Sequence, residues 1–253
     1  MLKQRIAATL LIDKKNLVKG KNFQNYRKLN DLISAVNIFC LRDIDELILL
    51  DIKNSTQKKC PDFNFIKEIS RYINVPMVYG GGITSVDDAL WCLKSGADRV
   101  IINSYIYSDI KLIEKISKVI GSQSVIASID YKVADVSKYI CYSHAGTIKQ
   151  KIDFFSLIKK LEELGAGELM LCNISNEGTM TGFDNETLKK IKSFTNLPII
   201  VSGGAGEIFH YQEAFNNGAS CAAAGSIFQF TKFTPEIIKR KLVDQNLNLR
   251  KIF

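Results

Sequence analysis

The sequence has little of the chemistry on which several common protein classes depend. Its six cysteines are scattered, and none belongs to a Cys-x-x-Cys pair. This pattern argues against a zinc site and a disulfide framework, and it is typical of a protein from a reducing cytoplasm. The two histidines, His144 and His210, offer little material for a histidine-based triad or metal centre. We therefore expect a cytoplasmic protein that works without a metal or another cofactor.

Long apolar segments are also missing. No apolar run approaches the ~18 residues that a membrane-spanning helix needs, and no small-residue cleavage site follows the short apolar run near the N-terminus. We expect no membrane span and no signal peptide. The net charge of +8 is not accompanied by a nucleic-acid-binding motif. Solvated helix faces and an anionic small-molecule ligand explain this charge better than nucleic acid does.

What the sequence does contain is a regular alternation of short apolar runs and amphipathic stretches. Hydrophobic residues make up 46% of the chain, which is enough for a sizeable core. Strands are predicted at 5–11, 46–51, 76–80, 99–103, 124–130, 168–173, 198–202 and 219–224, and helices at 31–41, 62–73, 86–95, 109–119, 153–164, 185–194, 207–216 and 235–244. Strands that alternate with helices run parallel. Because no long linker interrupts the alternation, residues 1–253 are predicted to form one (β/α)₈ TIM barrel.

The two halves of the sequence resemble each other at a constant offset of 122 residues. Gly80-Gly81-Gly82 matches Ser202-Gly203-Gly204, and Ser104 matches Ser226. Such self-similarity indicates a structural unit that is used twice. An open doubly wound sheet fits a half-chain repeat poorly, whereas two units of four strand–helix pairs close a barrel. We predict a twofold internal repeat with half-barrels at about 1–120 and 121–253.

Glycine and serine residues follow four of the predicted strands in the two halves. Active sites of such barrels lie at the C-terminal ends of the strands. Glycine lets backbone N–H groups approach an anion closely, and a serine hydroxyl adds a donor. One glycine pair alone indicates only a tight turn, but two related pairs predict two phosphate sites and an elongated ligand with a phosphate at each end. The first cradle comprises Gly81, Gly82, Asn103 and Ser104, and the second comprises Gly203, Gly204, Gly225 and Ser226.

Four charged residues begin predicted strands and share the parity of the inward-facing positions. They are Arg5, Glu46, Arg99 and Glu168. Two positive and two negative side chains are therefore expected around the barrel axis at its N-terminal end. Such charges are costly to desolvate unless they are paired. On these residues alone, the simplest interpretation is a salt-bridged plug that seals the barrel.

Together with the cradles, two further motifs carry a family resemblance. They are Ile129-Asp130 and the segment Glu177-Gly178-Thr179-Met180-Thr181-Gly182-Phe183-Asp184. From Leu2 to about Arg250 the sequence resembles HisF, the cyclase subunit of imidazole glycerol phosphate synthase. The resemblance implies a heterodimer with a HisH-like glutaminase subunit, whose ammonia crosses the barrel. The cyclase joins that ammonia to a bisphosphorylated ribulosyl aminoimidazole carboxamide (PRFAR), which yields imidazole glycerol phosphate and an aminoimidazole carboxamide ribotide (AICAR).

The resemblance also implies roles for particular residues. The four strand-initial charges become the gate where ammonia enters, with Arg99 in place of a lysine. Asp98 matches a position at the glutaminase contact, although a helix-side salt bridge is an alternative. Glu177 replaces an aspartate of the family. The positions implied to bind substrate, in addition to the two cradles, are Lys19, Asp51, Glu177, Gly178 and Thr179.

The catalytic carboxylates are where this sequence departs from the family. Asp130 matches the acid/base at the end of the fifth strand, but Leu11 stands where the family has an aspartate on the first strand. Asp13 keeps the inward parity and could substitute for it. The family resemblance together with this departure leaves three hypotheses. The chain is a cyclase of histidine biosynthesis, or a non-catalytic bisphosphate-binding scaffold. Alternatively it resembles family members found alongside surface-polysaccharide genes, which implies a paralogue that conducts ammonia to a separate enzyme amidating a surface-polysaccharide sugar.

Overall fold

The computed structural model describes residues 3–29, 31–135 and 138–250. Its strands are β1 (Arg5–Asp13), β2 (Asn16–Lys21), β3 (Gln24–Lys28), β4 (Glu46–Asp51), β5 (Met77–Gly80), β6 (Arg99–Ile102), β7 (Val125–Asp135), β8 (Lys138–Ser143), β9 (Ile148–Lys149), β10 (Glu168–Asn173), β11 (Ile199–Ser202) and β12 (Cys221–Ala224). Its helices are α1 (Leu32–Leu41), α2 (Asn54–Gln57), α3 (Phe63–Ser70), α4 (Val86–Lys94), α5 (Leu112–Ile120), α6 (Phe154–Glu163), α7 (Asn185–Lys192), α8 (Ile208–Asn216), α9 (Ser226–Phe230) and α10 (Pro235–Asp244). Short 3₁₀ turns lie at Ser104–Tyr107 and Ser122–Ser124.

Eight parallel strands form a closed barrel in the order β1, β4, β5, β6, β7, β10, β11 and β12. The barrel closes where β1 pairs with β12, with Arg5 opposite Cys221 and Ala7 opposite Ala223. Helices connect successive barrel strands, as parallel pairing requires. The predicted (β/α)₈ TIM-barrel class is confirmed. Every predicted strand start lies within two residues of the observed one.

Two antiparallel hairpins extend the barrel at its C-terminal end. The first consists of β2 and β3, which follow β1 directly, and the second consists of β8 and β9, which follow β7. Neither hairpin is predicted from the sequence pattern, and the first and fifth barrel strands extend further than predicted. Both strands continue beyond the barrel because their last residues pair with the hairpin strands.

Side-chain caps explain why the helices start where they do. Ser85 and Asp88 form a capping box at the start of α4. Asp184 accepts a hydrogen bond from the Thr187 N–H at the start of α7. Asp31, Asp62, Asp153 and Thr234 accept equivalent bonds at α1, α3, α6 and α10. Each such cap satisfies a backbone N–H that would otherwise be unpaired.

The alternation of side chains along each strand gives the barrel two apolar layers. Residues such as Ile6, Leu10 and Leu47 face outward and pack under the helices. The inward-facing residues form a separate cluster on the barrel axis, which we call the inner cluster: Ala7, Ile48, Val78, Ile101, Ile126, Met170, Ile200, Cys221 and Ala223. It separates the two ends of the barrel interior. Among the described residues, no helix has the length and apolarity to cross a membrane.

Candidate active site

A cavity of about 570 Å³ opens at the C-terminal ends of the barrel strands. Strand ends and the two hairpins contribute to its wall, so residues far apart in sequence meet there. Its lining includes half of the residues that the sequence pattern indicates for this end, namely Leu11, Asp51, Gly81, Gly82, Asn103, Ser104, Asp130 and Glu177. This is the position at which barrels of this type carry their active sites.

Asp130 is the buried carboxyl group of this cavity. It lies on β7 opposite Cys172 of β10 and is only 9% exposed. Burial raises its pKa to about 7; the negative charge of Glu177 adds to the shift, while a hydrogen bond from the Asn103 side chain opposes it. A carboxyl group with a pKa near neutrality can both accept and donate a proton. The geometry thus suits Asp130 to the predicted acid/base role.

The first barrel strand presents no carboxylate to the cavity wall. Leu11 lines the cavity and pairs with Leu50 of β4 on one side and with Val18 of β2 on the other. Asp13 ends β1 opposite Asn16 of β2, at the base of the hairpin. Of the described residues, those that line the cavity include Leu11 but not Asp13. The structure therefore does not bring Asp13 to the place where a second acid or base would act.

Asp51 lies at the end of β4 and lines the cavity. Its Oδ1 accepts hydrogen bonds from the backbone N–H groups of Lys53 (3.0 Å) and Asn54 (3.2 Å). Burial raises its pKa, the two backbone bonds oppose this shift, and the negative charges of Asp13 and Asp62 add to it. Its carboxylate therefore holds the loop before α2 as well as facing the cavity.

The first cradle is open to the cavity. Gly81 and Gly82 have φ values of +124° and +77°, and a Cβ atom at Gly81 would lie 2.4 Å from the Asp51 carbonyl oxygen. Only glycine fits that turn. Ser104 begins the 3₁₀ turn after β6, and its Oγ accepts a hydrogen bond from the His144 N–H at 2.9 Å. The Asn103 Oδ1 is buried and has no hydrogen-bond partner among the described residues, which leaves it available to a ligand.

The second cradle also combines two glycines after a strand with a serine at the start of a helical turn, but its residues are buried. Gly203 and Gly204 follow β11 with φ values of +89° and +111°, and Gly225 and Ser226 lead into the short helix α9. All four residues are buried. The family resemblance implies that Lys19 binds substrate; in the structure its Nζ forms an ion pair with Glu177.

Gly178 and Thr179, two predicted substrate-binding residues, lie in the loop between β10 and α7 and make contacts that hold its conformation. A Cβ atom at Gly178 would lie 2.6 Å from the Gly20 carbonyl oxygen, so glycine permits a close approach to the first hairpin. The Thr179 hydroxyl donates a hydrogen bond to the Asn176 carbonyl at 2.7 Å. Their observed contacts fix the loop that carries Glu177.

Sequence reasoning missed the contribution of both hairpins to the cavity wall. Phe23 and Tyr26 of the first hairpin and His144 and Ala145 of the second line the cavity. His144 and Ala145 adopt positive φ values of 52° and 54°, which non-glycine residues rarely adopt. No strand-like alternation marks these segments, so only the pairing of β2 and β8 onto long barrel strands could have revealed them.

At the opposite end of the barrel the four strand-initial charges meet in one closed ring, which we call the charged ring. Arg5 Nη1 lies 3.1 Å from Glu46 Oε2, and Arg99 Nη1 lies 2.9 Å from Glu46 Oε1. The second Nη atom of each arginine pairs with one oxygen of Glu168. Glu46 and Glu168 are 2% and 3% exposed, and every carboxylate oxygen in the ring has a guanidinium partner.

Asp98 lies beside the ring but faces outward. It is exposed, and its Oδ2 accepts a hydrogen bond from the Met77 N–H at 2.8 Å. The bond ties the start of β6 to the start of β5, and among the described residues Asp98 forms no ion pair with a helix. Within the described part of the chain, no group of three or more His, Cys, Asp or Glu residues is arranged to hold a metal ion.

The sequence was also compared with those of known proteins, and the matches agree with the barrel fold. Residues 5–234 match a family described as "Histidine biosynthesis protein". The chain is 36% identical to the imidazole glycerol phosphate synthase subunit HisF of Petrotoga mobilis over 99% of its own length and 100% of that protein. It is 37% identical to the subunit HisF of Thermococcus onnurineus over 99% of both chains, and 34% identical to that of a Thermotoga species over 99% and 98%. The chain therefore belongs to the HisF family of histidine biosynthesis proteins.

Proposed function

We propose that this chain is the barrel subunit of a glutamine-dependent amidotransferase, which receives ammonia from a HisH-like glutaminase subunit. In the family reaction it would join ammonia to PRFAR and release imidazole glycerol phosphate and AICAR. The observation that carries the proposal is the alignment of three features on one axis. The charged ring lies at the N-terminal end, the inner cluster in the middle, and the cavity with Asp130 at the C-terminal end.

The middle of this axis suits a small neutral molecule. The inner cluster consists of aliphatic and sulfur-containing side chains, two of them alanines. Ammonia can pass such a layer as NH₃, whereas a cation would lose its hydration there at a high cost. Above this layer Thr9 lines the cavity, and its buried hydroxyl has no hydrogen-bond partner among the described residues. Thr9 could therefore hydrogen-bond to ammonia as it enters the cavity.

The N-terminal end of the barrel offers a face for the glutaminase subunit. Four large apolar side chains are exposed near the C-terminal ends of α1, α3, α5 and α7, which lie at this end. They are Leu41, Tyr72, Val119 and Phe194. Leu41 alone is 83% exposed. Exposed apolar residues around a charged centre are typical of a protein–protein interface, and the names of the relatives describe a subunit.

In the cavity, Asp130 is the group that would move protons. Cyclisation requires a proton to leave the incoming amine and another to reach an oxygen of the ribulose-derived carbon. A buried carboxyl group with a pKa of about 7 can do either step at neutral pH. The side chains of Asn103 and Asp51 lie in the same cavity and could orient the substrate for these transfers.

Leu11 favours a second candidate function. A leucine at this place in the cavity wall cannot transfer a proton, so half of the family's acid/base pair is missing while the charged ring is complete. In the second candidate the chain docks a glutaminase and conducts ammonia, but the acceptor is bound by a separate enzyme that amidates a nucleotide-linked sugar of a surface polysaccharide.

One assay separates the two candidates. The purified chain is incubated with PRFAR and excess ammonium salt, and imidazole glycerol phosphate is measured. Formation of the product, with loss in Asp130→Asn but not in the exposed control Asp87→Asn, supports the cyclase. Turnover that persists in Asp130→Asn would refute the role of that residue.

Absence of turnover in the native chain, with restoration by Leu11→Asp, supports the second candidate. Either candidate also requires that a cognate glutaminase bind the chain and hydrolyse glutamine faster in the complex. A glutaminase that neither binds nor responds would leave only the non-catalytic scaffold hypothesis.

A further inference from the structure

A chain of hydrogen bonds on the second hairpin ends at the cavity wall and takes no part in the proton transfers assigned to Asp130. Gln150 Nε2 donates to Ser143 Oγ at 2.7 Å, and Ser143 Oγ lies 2.8 Å from His144 Nδ1. Ser143 is fully buried, whereas His144 is partly exposed and lines the cavity. The chain of bonds therefore leads from inside the hairpin to an imidazole ring in the cavity wall.

The buried serine determines which nitrogen of this ring carries a hydrogen. The Ser143 hydroxyl has one hydrogen to donate, and its oxygen already accepts the bond from Gln150. In the hydrogen bonds of the described residues, His144 Nδ1 is the one acceptor that this hydroxyl has. The network thus assigns the Ser143 hydrogen to Nδ1, so the neutral ring carries its own hydrogen on Nε2. A protonated ring carries one there as well, so Nε2 is a donor in both states.

His144 stands beside the first cradle. Its backbone N–H donates to Ser104 Oγ at 2.9 Å. Because Ser104 Oγ accepts this bond, the hydrogen of its hydroxyl is left to donate to a ligand. The Ser104 hydroxyl, the imidazole ring and the turn of Gly81 and Gly82 all belong to the wall of the same cavity. Together they form a set of donors that suits an anion.

The backbone at His144 indicates that its side chain has a use. His144 and Ala145 have φ values of 52° and 54°, and consecutive positive φ values in a hairpin turn are met most easily by Asn and Gly. Histidine and alanine therefore raise the free energy of this turn. Such strain points to function where the side chain lies at a site, and this ring lies in the cavity wall.

A phosphate at the first cradle depends on donors because carboxylates share the cavity. Asp51 and Asp130 line it, and their negative charges repel a phosphate. Lys58 and Lys59 also line it and supply positive charge. A hydrogen bond to a charged group is shorter and stronger than one between neutral groups, so one directed N–H at this place has a large effect on phosphate binding.

We propose that His144 is a phosphate-binding residue of the first cradle, and that its Nε2–H donates to a phosphate group of the ligand beside the Ser104 hydroxyl. The inference rests on the bisphosphorylated ligand of the proposed function and adds a binding residue for one of its two phosphates. Ser143 and Gln150 are positioning residues that act through the ring. They hold Nδ1 and leave Nε2 to the ligand.

The first test observes the ring directly. The chain contains two histidines, His144 and His210, so ¹⁵N labelling of histidine in the full-length protein gives two sets of ring signals, which His144→Gln assigns. The neutral His144 ring is expected as the Nε2–H tautomer, and inorganic phosphate is expected to shift its ¹⁵Nε2 signal but not that of His210. An Nδ1–H tautomer, or a His144 ring that does not respond while phosphate binds at the first cradle, would overturn the proposal.

The second test separates the donor from the shape of the turn, with inorganic phosphate titrated into each variant by calorimetry. His144→Gln keeps an N–H near the place of Nε2, and its affinity should stay within about three-fold of the native value. His144→Asn suits a positive φ better but reaches only to the place of Nδ1, and it should bind about ten-fold more weakly. The exposed control Ile148→Ala on β9 should bind like the native chain. If only the turn mattered, Asn would bind best and Gln worst, which would refute the role of the ring.

A double-mutant cycle tests the positioning role of Ser143. Ser143→Ala should weaken phosphate binding by about three-fold in the native background, because the ring loses the bond that holds Nδ1. In the His144→Asn background the same change should have no effect, since the ring through which it acts is gone. Equal losses in both backgrounds would show that Ser143 acts independently of the ring, contrary to the proposal.

Gly82→Ala distinguishes failure of this inference from failure of the proposed function. A Cβ atom there would lie 2.3 Å from the Lys59 carbonyl oxygen, so the variant should lose the phosphate of the first cradle, and the affinities above are those of the site that it loses. Phosphate binding that is lost in Gly82→Ala but unchanged in His144→Asn would overturn the inference and leave the cradle in place. A native chain that binds no phosphate would overturn the bisphosphate ligand of the proposed function, and this inference with it.

Discussion

The two ends of the barrel differ in how their buried charged groups are partnered. At the N-terminal end, Arg5 and Arg99 each bridge Glu46 and Glu168, so four charges satisfy one another. At the C-terminal end, Asp130 is also buried but has no cationic partner in the hydrogen bonds and ion pairs of the described residues, and burial raises its pKa to about 7. Paired charges can define a gate without reacting, whereas a lone carboxyl group keeps a proton that it can exchange.

The inner cluster keeps the paired charges at one end of the barrel apart from the unpaired carboxyl group at the other. It lies between the ends and excludes charged side chains from the middle of the barrel. Glu168 and Cys172 stand on the same strand, four residues apart, yet the former lies in the charged ring and the latter opposite Asp130. One strand thus carries a structural charge at one end and part of the cavity wall at the other.

The largest expected effect comes from breaking the charged ring. Glu168→Ala removes one carboxylate partner from both Arg5 and Arg99. Removing one partner of a buried ion pair leaves uncompensated charge, and it should lower the free energy of unfolding by about 3–5 kcal/mol. Urea denaturation monitored by circular dichroism measures this loss. The control Glu114→Ala removes an i,i+4 partner of Lys118 on the surface, and it should lower the free energy of unfolding far less, because an exposed ion pair contributes little. Equal effects in the two variants would show that the ring is not a buried network.

The next largest effect concerns Asp130 at the C-terminal end of the barrel, which should make the free energy of unfolding depend on pH. Because the pKa of Asp130 is raised to about 7 in the folded protein, its contribution to stability is fully present below its ordinary pKa of about 4 and is lost as the pH rises to about 7. Asp130→Asn carries no such titration. Relative to the native chain, the variant should gain little stability at about pH 4 and up to about 4 kcal/mol above pH 7. Denaturation midpoints at both pH values test this, and a gain that does not change with pH would contradict the raised pKa.

Much of this comparison could be predicted from the sequence, because it depends on the alternation of side chains along strands. The parity of Arg5, Glu46, Arg99 and Glu168 predicts that they point to one axis, and the ring distances agree. The fold followed from the alternating strands and helices, and the strand and helix starts were nearly correct. These features are local and periodic, so a single sequence contains them.

The parts that could not be predicted depend on pairing between distant segments. The hairpin of β2 and β3 has no regular apolar alternation, and it becomes a strand pair only because β1 continues beyond the barrel. The ion pair of Lys19 with Glu177 joins residues 158 positions apart, and no spacing rule relates them. The positive pKa shift of Asp130 likewise requires its burial, which the sequence pattern suggests but cannot measure.

A smaller effect on stability is expected from a change in the glycine turn that follows β5 at the cavity wall. Gly81→Ala forces a side chain onto a residue with a φ of +124° and within 2.4 Å of the Asp51 carbonyl oxygen. Strain of this kind costs about 1–3 kcal/mol. Gly218→Ala is the matched control, because its φ is +97° but its nearest neighbour is the flexible side chain of Lys192. Gly81→Ala should therefore destabilise the protein more than Gly218→Ala, as read from urea midpoints, and it should also weaken phosphate binding. The reverse order would show that the turn after β5 can relax.

The smallest expected effect sharpens the description of the charged ring. Arg99→Lys keeps the positive charge but replaces a planar group, whose two Nη atoms bond Glu46 and Glu168, with a single ammonium group. A lysine cannot bridge both carboxylates with the geometry of the guanidinium group, so one hydrogen bond is lost and the free energy of unfolding should fall by about 1 kcal/mol. A looser ring should also open more often, because fewer bonds must break. With a cognate glutaminase, product formation from glutamine should therefore increase relative to product formation from external ammonium, which bypasses the complex. If stability falls while this ratio stays constant, the ring only braces the barrel end, and ammonia takes another route to the cavity.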